Sequence, residues 1–219
     1  MSSKAVCAAA HGKLAYAYGL AAVHYTSIPR DEGLRLNIMH AQKAVELDPA
    51  DADGHAGLAA ALIWSGDMEN ALLTARRALS INPNCAGGYN GLGAILIFTS
   101  KTAEGRAAYA RFERLSPRDP GIADAHHVIA QSFYLDRDHE ACVAVLRRQL
   151  SDYPDYPLTH YVLARALGQP GRTKEARASL EKSKALLSAG FNPANRAPWA
   201  RPEDHEYVLD RLRKAGWEG

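Results

Sequence analysis

Apolar residues recur along the chain at spacings of three and four, which place them on one face of a helix. Leu58, Ala59 and Leu62 form one such stripe, and this pattern predicts a helix. Gly66 and Asp67 then predict a break and a new start, because glycine tolerates positive φ and an aspartate side chain accepts the first free N–H groups of a helix. The stretch therefore reads as two consecutive helices.

The second predicted helix carries small residues at Ala71 and Ala78 and is expected to stop before Pro83, which cannot donate a helical hydrogen bond. Pro49, Pro83 and Pro117 lie 34 residues apart. This fixed period, with small residues at set places, resembles the tetratricopeptide repeat, which implies two antiparallel helices per repeat. One such hairpin cannot bury its apolar face alone. The fold predicted is therefore all-α, a right-handed superhelix of helical hairpins.

The same spacing divides the chain into units. With Ala52 as position 1, small or closing residues recur at Ala59, Ala78, Pro83, Gly93, Pro117, Ala130, Pro154 and Ala164. Before them, residues 3–25 predict one long helix, whose partner runs from about 34 to 47. After them, an amphipathic helix from about Pro202 to Gly216 is expected to cap the last repeat. The predicted units are a degenerate hairpin (1-51), four hairpins (52-85, 86-119, 123-156 and 157-190) and a proline-rich linker with the capping helix (191-219).

Composition narrows the class of partner. The 219 residues carry a formal net charge of +2, which gives no electrostatic reason to expect nucleic acid or an anionic membrane as partner. Cys7, Cys85 and Cys142 are too few and too scattered for a disulfide scaffold or a zinc cluster. The apolar run near the N-terminus is shorter than a secretory signal. We therefore expect a cytoplasmic protein with no metal and no cofactor.

No set of residues in the sequence has both the composition and the spacing that a catalytic site requires. Ser179 and Lys182 match the S-x-x-K spacing of a nucleophile, but they lie in a predicted repeat helix without the accompanying motifs. His126, His127 and His139 with Cys142 suggest a metal site at first sight, yet His126 and Cys142 fall at repeat positions used for packing. His139 is expected to begin a helix in a solvated turn. The sequence predicts no enzyme.

A helical-repeat array offers one extended surface, the groove lined by the first helix of each hairpin, mainly through positions 2, 5, 9, 12 and 13. Tetratricopeptide domains that bind the acidic C-terminal tails of chaperones resemble one another in carrying Lys at position 5 and Asn at position 9. Here they are Ala56 and Ala60, so that clamp is absent. The residues predicted to line a groove for a protein or peptide partner are Trp64, Asn90, Phe98, His127, Gln131, Tyr134, Tyr161 and Arg165.

The aromatic residues of this set have two interpretations. In the first interpretation, Trp64, Phe98 and Tyr134 pack inside the chain, either between adjacent hairpins or under the C-terminal helix. In the second, they anchor an apolar or amphipathic segment of a partner, as aromatic residues and arginine do at interfaces. The sequence leaves both open. It also leaves the oligomeric state open, with a homodimer among the alternatives.

The phrases LDPADADGHAGLAAAL, LSINPNCAGGYNGLG and PWARPEDHEYVLDRLRKAGW carry a further resemblance. They are similar to the tetratricopeptide half of bacterial multidomain proteins, in which the repeats follow a class III adenylyl or guanylyl cyclase domain or a winged-helix DNA-binding domain. Residues 212–216, Leu-Arg-Lys-Ala-Gly, are the more specific part. The resemblance implies a bacterial signalling context and an alternative role, a regulatory arm or detached subunit of a cyclase-type enzyme or transcription regulator. The catalytic or DNA-binding half is missing, so no residue inherits its activity.

Overall fold

The computed structural model describes residues 3–23, 28–168, 172–186 and 202–218. Within these ranges the chain forms eleven α-helices and no strand. Their order is α1 (Ser3–Val23), α2 (Arg30–Leu47), α3 (Ala52–Ser65), α4 (Met68–Ile81), α5 (Ala86–Phe98), α6 (Thr102–Leu115), α7 (Ile122–Leu135), α8 (His139–Asp152), α9 (Pro157–Leu167), α10 (Thr173–Leu186) and α11 (Pro202–Lys214).

The helices associate in consecutive pairs. Each odd-numbered helix from α1 to α9 packs against the helix that follows it and against the odd-numbered helices beside it. No even-numbered helix makes a comparable contact with another even-numbered helix among the described residues. We call α1, α3, α5, α7 and α9 the inner helices and α2, α4, α6, α8 and α10 the outer helices. The predicted all-helical superhelix of hairpins is confirmed.

The turns inside the pairs follow from a few residues. Gly66 has φ 86° and ends α3, while the side chain of Asp67 accepts a hydrogen bond from the Asn70 N–H at 3.2 Å. Ser100 and Arg137 occupy the equivalent place in the next two pairs, and both have positive φ, 67° and 65°. A left-handed residue therefore closes each of these three inner helices, although glycine, which adopts it without strain, is present once.

Small side chains let the two helices of a pair approach each other. Ala59, Ala78, Ala130 and Ala164 are fully buried. Gly93 lies so close to Tyr109 that a Cβ on it would be 2.7 Å from the ring. Pro83, Pro117 and Pro154 are exposed and follow the ends of outer helices. The inner helices α3, α5, α7 and α9 begin within one residue of the starts of the four predicted hairpins, at positions 52, 86, 123 and 157.

The first pair differs from the prediction in its bounds. The end of the predicted first helix, residues 24–25, lies outside the described residues. Helix α2 begins at Arg30 rather than near Leu34, because Pro29 enters with φ −56° and Asp31 and Glu32 place negative charge in the first turn. The predicted second helix of this pair is therefore four residues too short at its start.

Helix α11 packs on α9, the last inner helix. Leu212 and Ala215 are fully buried in one apolar cluster with Ala176 and Leu180, and Gly216, with φ 97°, follows the end of the helix. The expected proline-rich linker, residues 191–201, lies outside the described residues. A search of the described helices finds none with the length and apolarity needed to cross a membrane.

Candidate functional site

Positions 5 and 9 of the inner helices form the floor of the groove, and its two halves differ in chemistry. Ala56, Ala60 and Ala94 keep the front of the floor low and apolar. Apart from Ala94, the floor residues of α5, α7 and α9 are larger and polar, and all are at least partly buried: Asn90, His127, Gln131, Tyr161 and Arg165.

Position 12 does not belong to the groove surface, which corrects the prediction for Tyr134. Ile63, Ile97 and Tyr134 are 4%, 0% and 1% exposed. Position 12 lies one helical turn after position 8, where the small residues are, so it faces the outer helix of the same pair rather than the groove. The helical spacing of the sequence is therefore enough to predict that Tyr134 faces the outer helix.

Trp64 and Phe98 occupy position 13 and are half-buried. Phe98 packs against the apolar clusters of two successive pairs, one containing Ile63 and the other Tyr109. For Phe98 the structure therefore shows the packing interpretation. A role for either ring in binding a partner stays a prediction.

The polar floor residues are joined by hydrogen bonds across α7 and α9. Arg165 Nη2 donates to Gln131 Oε1 at 2.9 Å, and Gln131 Nε2 lies 2.9 Å from His127 Nε2. Since Oε1 accepts from arginine, Gln131 presents its NH₂ to His127, whose Nε2 must then accept. The side chains of Arg165, Gln131 and His127 thus form one continuous chain of hydrogen bonds. The guanidinium of Arg165 lies between two rings, 4.6 Å from the centroid of Tyr134 and 5.3 Å from that of Tyr161.

A second polar contact borders this floor at the start of α7. The hydroxyl of Tyr156, which precedes α9, donates to Asp124 Oδ1. Burial and the Asp124 carboxylate both raise the pKa of Tyr156, so the phenol keeps its proton. Neither residue was among those predicted to line the groove, although Asp124 occupies position 2 of its repeat, a position assigned to the groove.

Tyr16 on α1 also belongs to the groove and was missed. Ala15 is buried against Ala41 of α2, as expected of position 8, so its neighbour Tyr16 takes position 9. The side chain is 57% exposed. Burial first, and then the carboxylates of Asp124 and Asp119, raise its pKa.

Helix α11 packs over Tyr134, beside the turn between α7 and α8. The ring centroid of Tyr207 lies 5.5 Å from that of Tyr134, and the Tyr207 hydroxyl lies 2.6 Å from His139 Nε2. Arg137 stacks 3.7 Å above the Tyr207 ring and pairs with Asp204 at 3.2 Å. This corrects the expectation of a solvated His139. It is half-buried, and burial, then Arg211 and Arg137, lower its pKa.

The other candidates of the sequence analysis have structural partners. Lys182 pairs with Asp155 at 2.8 Å. His126 Nε2 lies 3.1 Å from Glu113. Cys142 is fully buried, and burial raises the pKa of its thiol to about 12, so it is a poor metal ligand. Over the part of the chain that the structure describes, no three His, Cys, Asp or Glu side chains converge as a metal site would require.

Two histidines at position 4 share a contact that packing arguments did not predict. His55 Nε2 lies 3.1 Å from the Pro49 carbonyl, and His160 Nε2 lies 2.8 Å from the Pro154 carbonyl. Each imidazole thus binds the proline carbonyl six residues earlier, at the end of the preceding unit. The sequence signal for this contact is the recurrence of histidine six residues after the proline that closes the preceding unit.

Comparison with known proteins agrees with this architecture. Residues 101–183 match the family described as "Anaphase-promoting complex, cyclosome, subunit 3". No curated protein sequence matches the chain. Neither result supports the expected similarity to cyclases or winged-helix regulators.

Several solved structures resemble the chain over most of its length. PilF of Pseudomonas aeruginosa has a TM-score of 0.66 at 16% identity, covering 98% of this chain and 90% of PilF. PilW, described as a widely conserved type IV pilus biogenesis factor, has a TM-score of 0.63 at 19% identity, covering 92% and 89%. YrrB, described as a TPR protein with an unusual peptide-binding site, has a TM-score of 0.50 at 18% identity, covering 80% and 90%. At these identities the likeness shows the fold: the chain is a helical-repeat superhelix of the tetratricopeptide type.

Proposed function

We propose that the chain is a non-enzymatic protein-interaction module that binds a peptide or helix of a partner protein in the groove of its inner helices. The observation that carries the proposal is the change along the floor, from small apolar residues on α3 to large polar residues on α7 and α9. A low apolar floor admits the partner's backbone and side chains, while fixed polar groups give orientation and specificity. YrrB, a structure of the same fold, is described as having an unusual peptide-binding site, which supports peptide binding as a use of this fold.

No contact in the described residues and no match favours the alternative role as a regulatory arm of a cyclase-type enzyme or transcription regulator. A homodimer likewise has no observation in its favour. The polar floor, in contrast, offers hydrogen-bonding groups to a partner. The interaction module is therefore the function that the geometry supports best.

Affinity purification from native lysate tests the proposal if groove and outer variants are compared. The groove variant is Trp64→Ala with Asn90→Ala, since both side chains are only half-buried and their loss should leave the fold intact. The control is Leu73→Ala, a 58% exposed residue of the outer helix α4. We expect a protein that the wild type and the control retain and the groove variant loses, with unchanged circular dichroism. A partner retained equally by all three proteins would contradict groove binding.

A further inference from the structure

Arg165 brings a positive charge into the groove floor without a matching negative charge. The residue is 6% exposed. Among the described residues, no carboxylate oxygen lies within 4 Å of its guanidinium nitrogens, and its one hydrogen bond is the neutral contact from Nη2 to Gln131. Its Nε is buried with no hydrogen-bond partner. Burial of a cation is costly unless the cation is paired and its donors are used.

The surroundings of Arg165 hold the guanidinium in place rather than neutralise it. Gln131 is itself fixed through His127 at 2.9 Å, and the rings of Tyr134 and Tyr161 lie beside the planar group. Stacking on aromatic rings orients an arginine while its N–H groups stay able to bind an acceptor. A guanidinium oriented in this way suits the two oxygens of a carboxylate, which accept two parallel hydrogen bonds.

We propose that Arg165 anchors an aspartate or glutamate side chain carried within the partner segment that occupies the groove. The inference rests on the proposed function and adds the chemistry of the partner. Charge complementarity carries it. The two carboxylates at the start of α7 already accept hydrogen bonds, Asp124 from Tyr156 and Asp119 from Ser116 and the Gly121 N–H.

An internal acidic side chain fits better than the carboxylate of a chain terminus. Recognition of a terminal carboxylate requires several donors grouped at one place, and the front of the floor has Ala56 and Ala60 instead. One guanidinium with one fixed amide beside it suits a single carboxylate. The partner segment is thus expected to pass through the groove with its acidic residue at the α9 end.

A displayed library of random twelve-residue peptides tests the inference, because peptides fused at their C-terminus have no free terminal carboxylate. Panning on the wild-type protein should enrich Asp or Glu at one position of the selected peptides. The variant Arg165→Gln should lose this enrichment. The control Arg148→Gln removes the same charge from an exposed residue of the outer helix α8 and should keep it.

The best selected peptide and its counterpart with the acidic residue changed to its amide then serve as defined probes. For the wild type, the amide probe should bind roughly tenfold to a hundredfold more weakly, as expected for a charged hydrogen-bonded pair. For Arg165→Gln the two probes should bind alike. Equal affinity of both probes for the wild type, or selected peptides without an acidic position, would overturn the inference but leave groove binding standing.

Thermal melting separates this role from a structural one. Arg165→Met removes the cost of burying a charge that has no counter-ion, but it also removes the hydrogen bond to Gln131 and the contacts with the two rings. These effects oppose each other, so the melting temperature should stay close to that of the wild type. A lower melting temperature together with an unchanged peptide selection would make Arg165 a structural residue and overturn the inference. A library from which the wild type retains no peptide at all would overturn the proposed function, and this inference with it.

Discussion

The close contact between α5 and α6 allows the packing of an inner helix on its outer helix to be tested by one substitution. Gly105 on α6 lies so close to α5 that a Cβ on it would be 2.5 Å from Ile97 Cγ1 and 2.8 Å from the carbonyl oxygen of Gly93. The second of these atoms belongs to the backbone and cannot rotate away. The variant Gly105→Ala must therefore push the two helices apart or distort one of them.

The expected magnitude combines two opposing effects. Alanine in place of glycine inside a helix gains about 1 kcal/mol of helix propensity. Overpacking costs about 1 to 3 kcal/mol, and the backbone contact places Gly105 at or above the upper end of that range. We expect a net loss of about 2 kcal/mol in the free energy of unfolding, which lowers the melting temperature by roughly 4 to 8 °C in a chain of this size.

Gly57 gives a matched control for this substitution. It lies within α3, is exposed, and would have no atom within 4 Å of an added Cβ. Gly57→Ala should therefore gain about 0.5 to 1 kcal/mol from helix propensity alone. Far-UV circular dichroism melts of the two variants should shift in opposite directions. If Gly105→Ala melts at or above the wild-type temperature, the close approach of α5 and α6 is wrong.

Three further predictions follow from burial and charge. Ala59→Leu should lose about 1 to 3 kcal/mol through overpacking of α3 against α4; an unchanged melt would show that position 8 does not face the outer helix. Burial raises the pKa of the Cys85 thiol to about 11 and of the Cys142 thiol to about 12, so a disulfide reagent at about pH 8 should titrate Cys7 alone in the native protein and all three thiols after denaturation; reaction of a second thiol in the folded state would refute their burial. The pKa of His139 is lower in the folded protein than in the unfolded chain, so on acidification the unfolded chain binds a proton first. The free energy of unfolding is therefore unaffected by His139 above about pH 6.5 and falls as the pH drops toward the folded-state pKa. The loss of melting temperature between about pH 7.5 and 5.5 should be smaller in His139→Gln, and an equal loss would exclude His139 as a source.

Much of the fold could be predicted because its signals are local. Gly66 with Asp67 marks a turn by backbone chemistry, and the prolines end outer helices because they lack an N–H. The left-handed residues Ser100 and Arg137 gave no such signal, since neither side chain favours positive φ. Their turns were found only through the 34-residue spacing.

The groove was predicted less completely, for two physical reasons. Tyr134 was assigned to it because an aromatic residue at a groove position resembles an interface anchor, but one turn after position 8 the side chain faces the outer helix. Tyr16 was missed because α1 lies before the first proline of the 34-residue spacing, so the register of α1 shows only in the burial of Ala15 against Ala41. The cover provided by Tyr207 depends on contacts between distant parts of the chain, which periodicity does not encode.

The location of the partner on this surface is the central claim, and site-specific photo-crosslinking measures it most directly. A photoreactive benzoylphenylalanine would replace either Asn90 or Phe98 on the inner helix α5, or Leu73 or Arg148 on the outer helices α4 and α8. After irradiation of living cells of the native host, we expect a crosslinked partner from the two α5 positions and none from the outer positions. Crosslinks from the outer helices without any from α5 would contradict the account.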